Sequence, residues 1–237
     1  MLLFYTPHID GDHAELPEDE ARHVTQVLRR KVGDTLVFTD GKGYRYEGAI
    51  DEVHKKRCAL RITHREYVAP PASHLHLCIA PTKNSNRLEW MLEKCVEIGI
   101  GSVHLMRCRR SERTKVRLDR LERIAISAMK QSLHYHLPDI TELTDFSDML
   151  TRPLPEQRYI AWCETDTTAT LWQQLDATQD AVLLIGPEGD FTAEEVAQAK
   201  AHGCVPVSLG EQRLRVETAG LLVCNTYMVL RDMQQHG

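Results

Sequence analysis

The chain has 237 residues, of which 42% are hydrophobic and 27% charged, and its formal net charge is −5. That is the composition of an ordinary soluble protein, long enough for one large domain or two modest ones. No apolar run approaches the roughly 20 residues that cross a bilayer, and the N-terminus lacks a basic-then-apolar targeting pattern. Seven scattered cysteines without a C-x-x-C pair argue for reduced thiols in a cytosol-like compartment and against a zinc site.

The charge is uneven. Residues 1–70 hold 11 basic against 12 acidic residues, residues 71–137 hold 12 against 6, and residues 138–237 hold 6 against 16. A middle segment this basic can concentrate positive field and attract phosphate. It can equally be a helix surface neutralised by the acidic last third, and composition leaves both open.

In chain order, residues 1 to about 68 read mostly as β, with short strands Thr35–Phe38, Tyr44–Ile50 and Arg57–Ile62. Asp40-Gly41-Lys42-Gly43 is a strong hairpin signal. One helix precedes them, from about Asp19 to Arg30, with His23, Val24, Val27 and Leu28 at helical spacing. A small β-barrel with one helix follows from that pattern. The acidic run Asp10 to Asp19 lacks the ligand spacing of a calcium loop. The paired prolines of Val68-Ala69-Pro70-Pro71-Ala72-Ser73 mark a boundary, because they exclude both helix and central strand.

Leu75–Ala80 restarts as a strand, and His74 and His76, at i and i+2, read as sheet residues rather than ligands. Lys83 to Arg87 is a polar loop into an amphipathic helix whose stripe is Leu88, Met91, Leu92, Cys95 and Ile98, with Gly99 as its stop. Val103–Met106 is the next strand. Between Arg107 and Arg117 six basic residues accompany one acidic residue. Phosphate contacts need several Lys or Arg close together, while a solubilising loop is the alternative. A helix from about Asp119 to Leu133 turns Leu121, Ile124, Ala125, Ala128 and Met129 to a core. After an exposed connection at Thr151–Gln157, the Tyr159–Cys163 strand and a short helix near Leu171 lead to Ala181–Ile185, an apolar β-branched run that reads as a buried parallel strand.

Gly186-Pro187-Glu188-Gly189 is a turn in which Pro fixes one dihedral and the glycines permit positive φ. Thr192 and Glu195 have capping-box spacing. Val205–Leu209 is a further strand ending at Gly210, and Leu214 to Gly220 leads into an apolar helix through Leu221, Leu222 and Met228. Strands and helices alternate from residue 74 onward, which predicts a parallel sheet covered on both faces. Two glycine-bearing turns and an Arg-x-Glu-Thr loop then gather outside the carboxyl ends of the strands, where open α/β sheets hold ligands. Neither the dinucleotide fingerprint nor the P-loop is present.

Leu183-Leu184-Ile185-Gly186-Pro187-Glu188-Gly189, then Leu209-Gly210, then Leu214-Arg215 and Glu217-Thr218-Ala219, resemble the C-terminal signature of the RsmE family. Those are SPOUT-class methyltransferases that use S-adenosyl-L-methionine to methylate N3 of a uridine in small-subunit (16S) ribosomal RNA. Lys83-x-x-x-Arg87, Glu93-Lys94-Cys95-x-Glu97-x-Gly99, Arg110-Ser111, Gln131-Ser132 and Pro138 with Ile140 are similar to the same family's pattern. His23-x-x-x-Val27-Leu28-Arg29 with Phe38 and Asp40-Gly41 resembles its N-terminal domain.

The resemblance implies an α/β fold: a SPOUT-type parallel sheet with a C-terminal trefoil knot over residues 74–237, preceded by a small PUA-like β-barrel RNA-binding domain over residues 1–70. It implies that Leu184, Ile185, Gly186, Pro187, Glu188, Gly189, Leu209, Gly210, Leu214, Thr218 and Ala219 hold the cofactor, and that Arg29, Arg30, Lys83, Arg87, Arg109, Arg110 and Arg113 contact RNA. It also implies a cytoplasmic homodimer built on the C-terminal helix and acting on the small ribosomal subunit, with neither metal nor membrane. A SPOUT enzyme acting on another RNA or base atom, and a non-catalytic RNA-binding assembly factor, are the alternatives. The sequence departs from the family at Lys130 and His134, where relatives usually have Glu and Arg, at Asp190, where they often have Gly, and at Val216, where they often have Thr.

Uridine N3 lies on the Watson–Crick edge and carries a proton, so the base must be unpaired and the proton must leave. On the family reading Arg215 stabilises charge developing on a uracil carbonyl, and Glu217 accepts the proton or orients Arg215.

Overall fold

The alternating residues of the first seventy positions form strands in the computed structural model, which describes residues 2–163 and 169–236. The chain divides into two units, Met1–Pro70 with Ile126–Leu137, and Pro71–Ala125 with Pro138–Gly237. The first unit contains β1 (Leu3–Tyr5), β2 (Ile9–Asp10), β3 (His13–Glu15), α1 (Glu18–Arg22), β4 (Thr35–Thr39), β5 (Tyr44–His54) and β6 (Arg57–Tyr67). They make one six-stranded curled sheet in the order β1-β4-β5-β6-β3-β2, parallel only between β1 and β4. Phe4, Leu16, Val24, Leu36, Phe38 and Leu60 fill its core.

The Asp40–Gly43 turn joins β4 to β5 as expected, with Asp40 Oδ1 accepting the Lys42 N–H at 2.8 Å. Strands β5 and β6 run further than the apolar alternation suggested. Their polar outer halves stay paired through cross-strand charges, Arg45 lying opposite Glu66 and 3.8 Å from its carboxylate. Strands β1 to β3, two or three residues each, are too short to show a period. The Asp19–Arg30 helix is corrected: α1 ends at Arg22 and widens into a π-turn over His23–Val27, where the Leu28 N–H donates to His23 O at 3.0 Å. Arg29 then takes φ 53°, a left-handed stop that ends the helix before Arg30.

Residues 126–137 group with this first unit, a placement the proline boundary gave no hint of. The Gly43 N–H donates to Tyr135 O and the Leu137 N–H to Gly41 O, both at 2.8 Å. Lys130, one of the departures, forms a salt bridge with Glu20, a buried carboxylate whose pKa is pushed up by burial while Lys130 opposes the shift.

The second unit contains β7 (Leu75–Ile79), α2 (Ser85–Ile98), β8 (Ser102–Arg107), the first half of α3 (Leu118–Gln131), β9 (Asp139–Asp145), α4 (Phe146–Leu150), β10 (Gln157–Ala161), α5 (Leu171–Gln174), β11 (Ala181–Ile185), α6 (Ala193–Ala201), β12 (Val205–Val207) and α7 (Val216–His236). Six of these strands form an all-parallel sheet in the order β12-β10-β11-β7-β8-β9. β11 lies at its middle, every residue of the strand buried, as its continuous apolar run predicted. β9 and α4 were not anticipated, because the polar strand Asp139–Asp145 carries almost no apolar pattern. The strand expected at Tyr159–Cys163 lies two residues earlier, at 157–161, and the one expected at Val205–Leu209 ends two residues early, at 207.

Helix α7 packs on α2. A Cβ at Gly220 would sit 2.5 Å from Met91 Sδ and 3.3 Å from Ile79 Cδ1, so the approach needs glycine. Val223, Cys224, Tyr227 and Met228 complete the buried side of α7, whereas Leu221 and Leu222 are only half-buried. We expect Gly220→Val to lower unfolding free energy by about 1–3 kcal/mol through overpacking, measurable as a shifted urea midpoint.

At the amino ends of β7 and β8, His76 Nδ1 lies 2.8 Å from Ser102 Oγ, which lies 2.9 Å from His104 Nε2. Burial pushes both imidazoles below their ordinary 6.5, against the opposing pull of Asp180 on His76 and of Asp139 on both, and with Arg152 adding repulsion at His104. A depressed folded pKa contributes stability that is present above 6.5 and lost as pH falls. Thermal midpoints should therefore drop between about pH 7 and about pH 5, and His104→Gln should flatten that slope.

Candidate active site at the carboxyl edge of the parallel sheet

Parallel strands end on the same edge, so the loops after β10, β11 and β12 converge there. They enclose, with the first turn of α7 and Arg87 of α2, a cavity of about 600 Å³. The volume lies within the range of small-molecule and cofactor sites. Four carboxylates (Glu188, Asp190, Glu211, Glu217) and three guanidiniums (Arg87, Arg213, Arg215) line it, so neither sign dominates.

The turn after β11 closes through a hydrogen bond from the Asp190 N–H to Pro187 O at 2.9 Å. The left-handed residue is Asp190, at φ 62°, and neither Gly186 nor Gly189 has positive φ. This corrects the expected use of the glycines. A Cβ at Gly186 would lie 3.1 Å from the Phe191 ring, and one at Gly189 would lie 3.3 Å from the Arg110 side chain, so both positions are tightly packed. Asp190 tolerates its conformation because short polar side chains bond locally. Its Oδ1 accepts the Phe191 N–H at 2.7 Å, and its Oδ2 accepts the Cys163 N–H at 3.3 Å, tying this turn to the end of β10. Gly210, at φ 114°, is where the loop after β12 does need a left-handed residue.

The capping box expected at α6 is present, with Thr192 Oγ1 accepting the Glu195 N–H at 3.2 Å and Glu195 Oε2 accepting the Thr192 N–H at 2.9 Å. The other oxygen of Glu195 accepts the Arg109 N–H at 2.8 Å. Glu188 Oε1 accepts the Lys83 N–H at 2.8 Å. Arg110 Nη1 donates to Gly189 O at 2.7 Å and to Phe191 O at 3.3 Å, and Arg113 donates to the carbonyls of Thr82 and Lys83.

Most residues singled out from the sequence meet here. Ile185, Gly186, Pro187, Glu188, Leu209, Gly210, Leu214, Ala219, Arg215 and Glu217 line the cavity. Three do not: Leu184 is fully buried in the strand, Gly189 packs against Arg110, and Thr218 is exposed on α7. Arg215 and Glu217 form no ion pair. Glu217, 8% exposed, instead has an oxygen 3.5 Å from Arg87 Nε, because α7 turns it toward α2 while Arg215 stays at the exposed mouth.

Of the expected RNA contacts, Lys83 pairs with Glu112 at 2.7 Å on the surface, and Arg109 reaches to 4.0 Å from Glu194 with its side chain 73% exposed. Arg29 and Arg30 are exposed in the first unit. Sequence reasoning missed Trp162, Cys163 and Ser208, which line the cavity just after β10 and β12. The signal was the pairing of β10 with both β11 and β12, which no local spacing carries. Burial and Asp190 push the Cys163 thiol up, which disfavours it as a nucleophile. Among the described residues no group of His, Cys, Asp or Glu could hold a metal ion, and no helix is long and apolar enough to cross a membrane.

Comparison with known proteins gives a consistent picture. An RNA methyltransferase domain matches residues 69–228, and an RNA methyltransferase PUA domain matches residues 16–63. The ribosomal RNA small subunit methyltransferase E of Buchnera aphidicola is 26% identical over 93% of this chain and 89% of its own. A probable rRNA-methyltransferase from Porphyromonas gingivalis superposes with a TM-score of 0.91, at 41% identity over 99% of this chain and 100% of that one. The ribosomal RNA small subunit methyltransferase E of Neisseria gonorrhoeae, solved with S-adenosyl methionine bound, gives 0.82 at 27% identity, covering 97% of this chain and 98% of that one. With the cavity at the carboxyl edge of its sheet and a PUA-type unit before it, the chain belongs to the RNA methyltransferase family, alongside the ribosomal RNA small subunit methyltransferases E.

Proposed function

We infer that this chain transfers the methyl group of S-adenosyl-L-methionine to N3 of a uridine in small-subunit (16S) ribosomal RNA. The observation that carries this reading is the cavity after β10, β11 and β12, which has the volume for the cofactor and brings Arg215 and Glu217 to its wall. The residues fit the group. Main-chain groups of Ile185 to Glu188 and of Leu209 to Leu214 stand where adenine and ribose can be hydrogen-bonded, and the lining carboxylates suit a cationic sulfonium. When bound, the cofactor supplies the electrophilic methyl.

The chain's own task is then orientation, charge and proton handling. Arg215, exposed at the mouth, is placed to meet a uracil carbonyl oxygen that gains charge as N3 loses its proton. Glu217 is the nearly buried carboxylate of the wall, oriented by Arg87 at 3.5 Å, and is the group placed to accept that proton. The base must be unpaired to reach them. Arg109, Lys83, Arg29 and Arg30 supply exposed positive charge for phosphate.

The same reading includes a C-terminal trefoil knot, a PUA-like RNA-binding domain over residues 1–70 with a methyltransferase domain over 74–237, cytoplasmic location, and a homodimer. Val229 and Met233, 47% and 66% exposed on α7, are apolar surface that a second subunit can cover.

Titration calorimetry with S-adenosyl-L-methionine, followed by mass mapping of ribosomal RNA from a deletion strain, tests the reading. Absence of binding favours the non-catalytic assembly factor, and loss of a modification other than one methyluridine favours another SPOUT reaction. Arg215→Ala is expected to lower kcat by about 100-fold or more with an unchanged thermal midpoint. Glu217→Gln is expected to lower kcat and to remove the acid limb of the pH–rate profile; an acid limb identical to wild type rejects Glu217 as the base.

A further inference from the structure

The basic loop that follows β8 looks, from sequence, like a cluster of phosphate contacts. Its arginines differ in what they hold. Arg109 has its side chain 73% exposed and reaches only to 4.0 Å from Glu194. Arg110 is committed elsewhere: its Nη1 donates to Gly189 O at 2.7 Å and to Phe191 O at 3.3 Å.

Those two carbonyls flank Asp190, the left-handed residue of the cofactor turn. A left-handed non-glycine residue persists only where its surroundings hold it. One guanidinium nitrogen bridging the carbonyls of the residues on either side supplies such a restraint. The stem of Arg110 packs on the same turn, since a Cβ at Gly189 would lie 3.3 Å from both its Cβ and its Cδ. The base of the loop is fixed independently, by the Arg109 N–H on Glu195 Oε1 at 2.8 Å and the Cys108 N–H on Ser111 Oγ at 2.9 Å. Arg110 therefore approaches the turn from an anchored backbone, which lets it define the turn's position.

From this geometry we propose that Arg110 is a positioning residue for the cofactor turn, not a phosphate contact. It acts through Pro187, Glu188 and Asp190, which line the cavity, and touches no ligand itself. The assignment rests on the cofactor reading above. It divides the labour of neighbouring arginines: Arg109 faces RNA and Arg110 faces the cofactor turn.

The test measures two affinities on the full-length chain. Cofactor affinity is read by calorimetry with S-adenosyl-L-methionine and no RNA, and RNA affinity is read against salt with a small-subunit ribosomal RNA fragment. Arg110→Ala is expected to weaken cofactor binding by about tenfold, as loss of a charge-assisted hydrogen bond would, with the RNA salt slope unchanged. Arg109→Ala is expected to do the reverse, lowering the magnitude of the salt slope by about 1 with cofactor affinity intact. Arg110→Lys keeps the charge but not the fork, and should recover only part of the cofactor affinity. Gly189→Ala, which pushes the Arg110 stem away, should weaken cofactor binding without adding to the effect of Arg110→Ala.

Thermal midpoints distinguish misfolding from mispositioning; if Arg110→Ala does not fold, Arg110→Lys and Gly189→Ala carry the same comparison. Cofactor affinity in Arg110→Ala within twofold of wild type overturns the assignment, as does a salt slope that falls as in Arg109→Ala. A wild-type chain that binds no cofactor overturns the underlying reading as well, so the two failures are distinguishable.

Discussion

The site depends on charged side chains that capture main-chain groups across three adjacent strands. β11, β7 and β8 are neighbours in the sheet, and the loops that follow them grip one another. Glu188 of the first takes a backbone N–H of the second, Arg113 of the third takes two carbonyls of the second, and Arg110 of the third takes two carbonyls of the first. Each contact satisfies a main-chain group left over where a strand ends. A charged partner makes such a bond stronger than a neutral one, about 1.5–3 kcal/mol against about 1. Loops are ordinarily the mobile part of an α/β fold. Here they are cross-linked to one another at the end of a sheet whose central strand is wholly buried.

This explains how much the sequence could say. The Ala181–Ile185 run, the Thr192–Glu195 box and the Asp40–Gly43 hairpin are local patterns whose physics acts within a few residues, and all three formed. Trp162 and Cys163 reach the cavity only because β10 inserts between β11 and β12, an ordering decided by long-range pairing. The arginines of 107–117 were visible as charge, but charge alone does not say whether a guanidinium faces solvent or a carbonyl. The Arg215–Glu217 pair looked natural at a spacing of two. Arg215, however, lies just before α7 and Glu217 in its first turn, and Glu217 meets Arg87 instead.

The departures from the family pattern have physical accounts at two positions. Asp190 is among the residue types that enter the left-handed region with least strain, and it adds hydrogen bonds to Phe191 and Cys163 that glycine lacks. Lys130 meets the buried carboxylate of Glu20. That pair is no simple gain. Burial raises the Glu20 pKa despite Lys130, and Glu20 Oε2 has no partner among the described residues. Desolvation of two such charges rivals their attraction, so the pair is better read as fixing the register of residues 126–137 than as a large source of stability. Nothing in the structure explains Val216 beyond its burial at the start of α7.

Separating Glu217 from Arg215 bears on the chemistry. With Arg87 beside Glu217 at the wall and Arg215 exposed, the proposed mechanism assigns the two charges to different atoms of an unpaired uracil, the guanidinium to a carbonyl oxygen and the carboxylate to the N3 proton. Arg215 immediately precedes α7 and Glu217 lies in its first turn, and the close approach of Gly220 to Met91 packs that helix on α2. The proposed catalytic pair thus depends on the α2–α7 packing and on the interlocked loops beside it, and neither constraint is local in sequence.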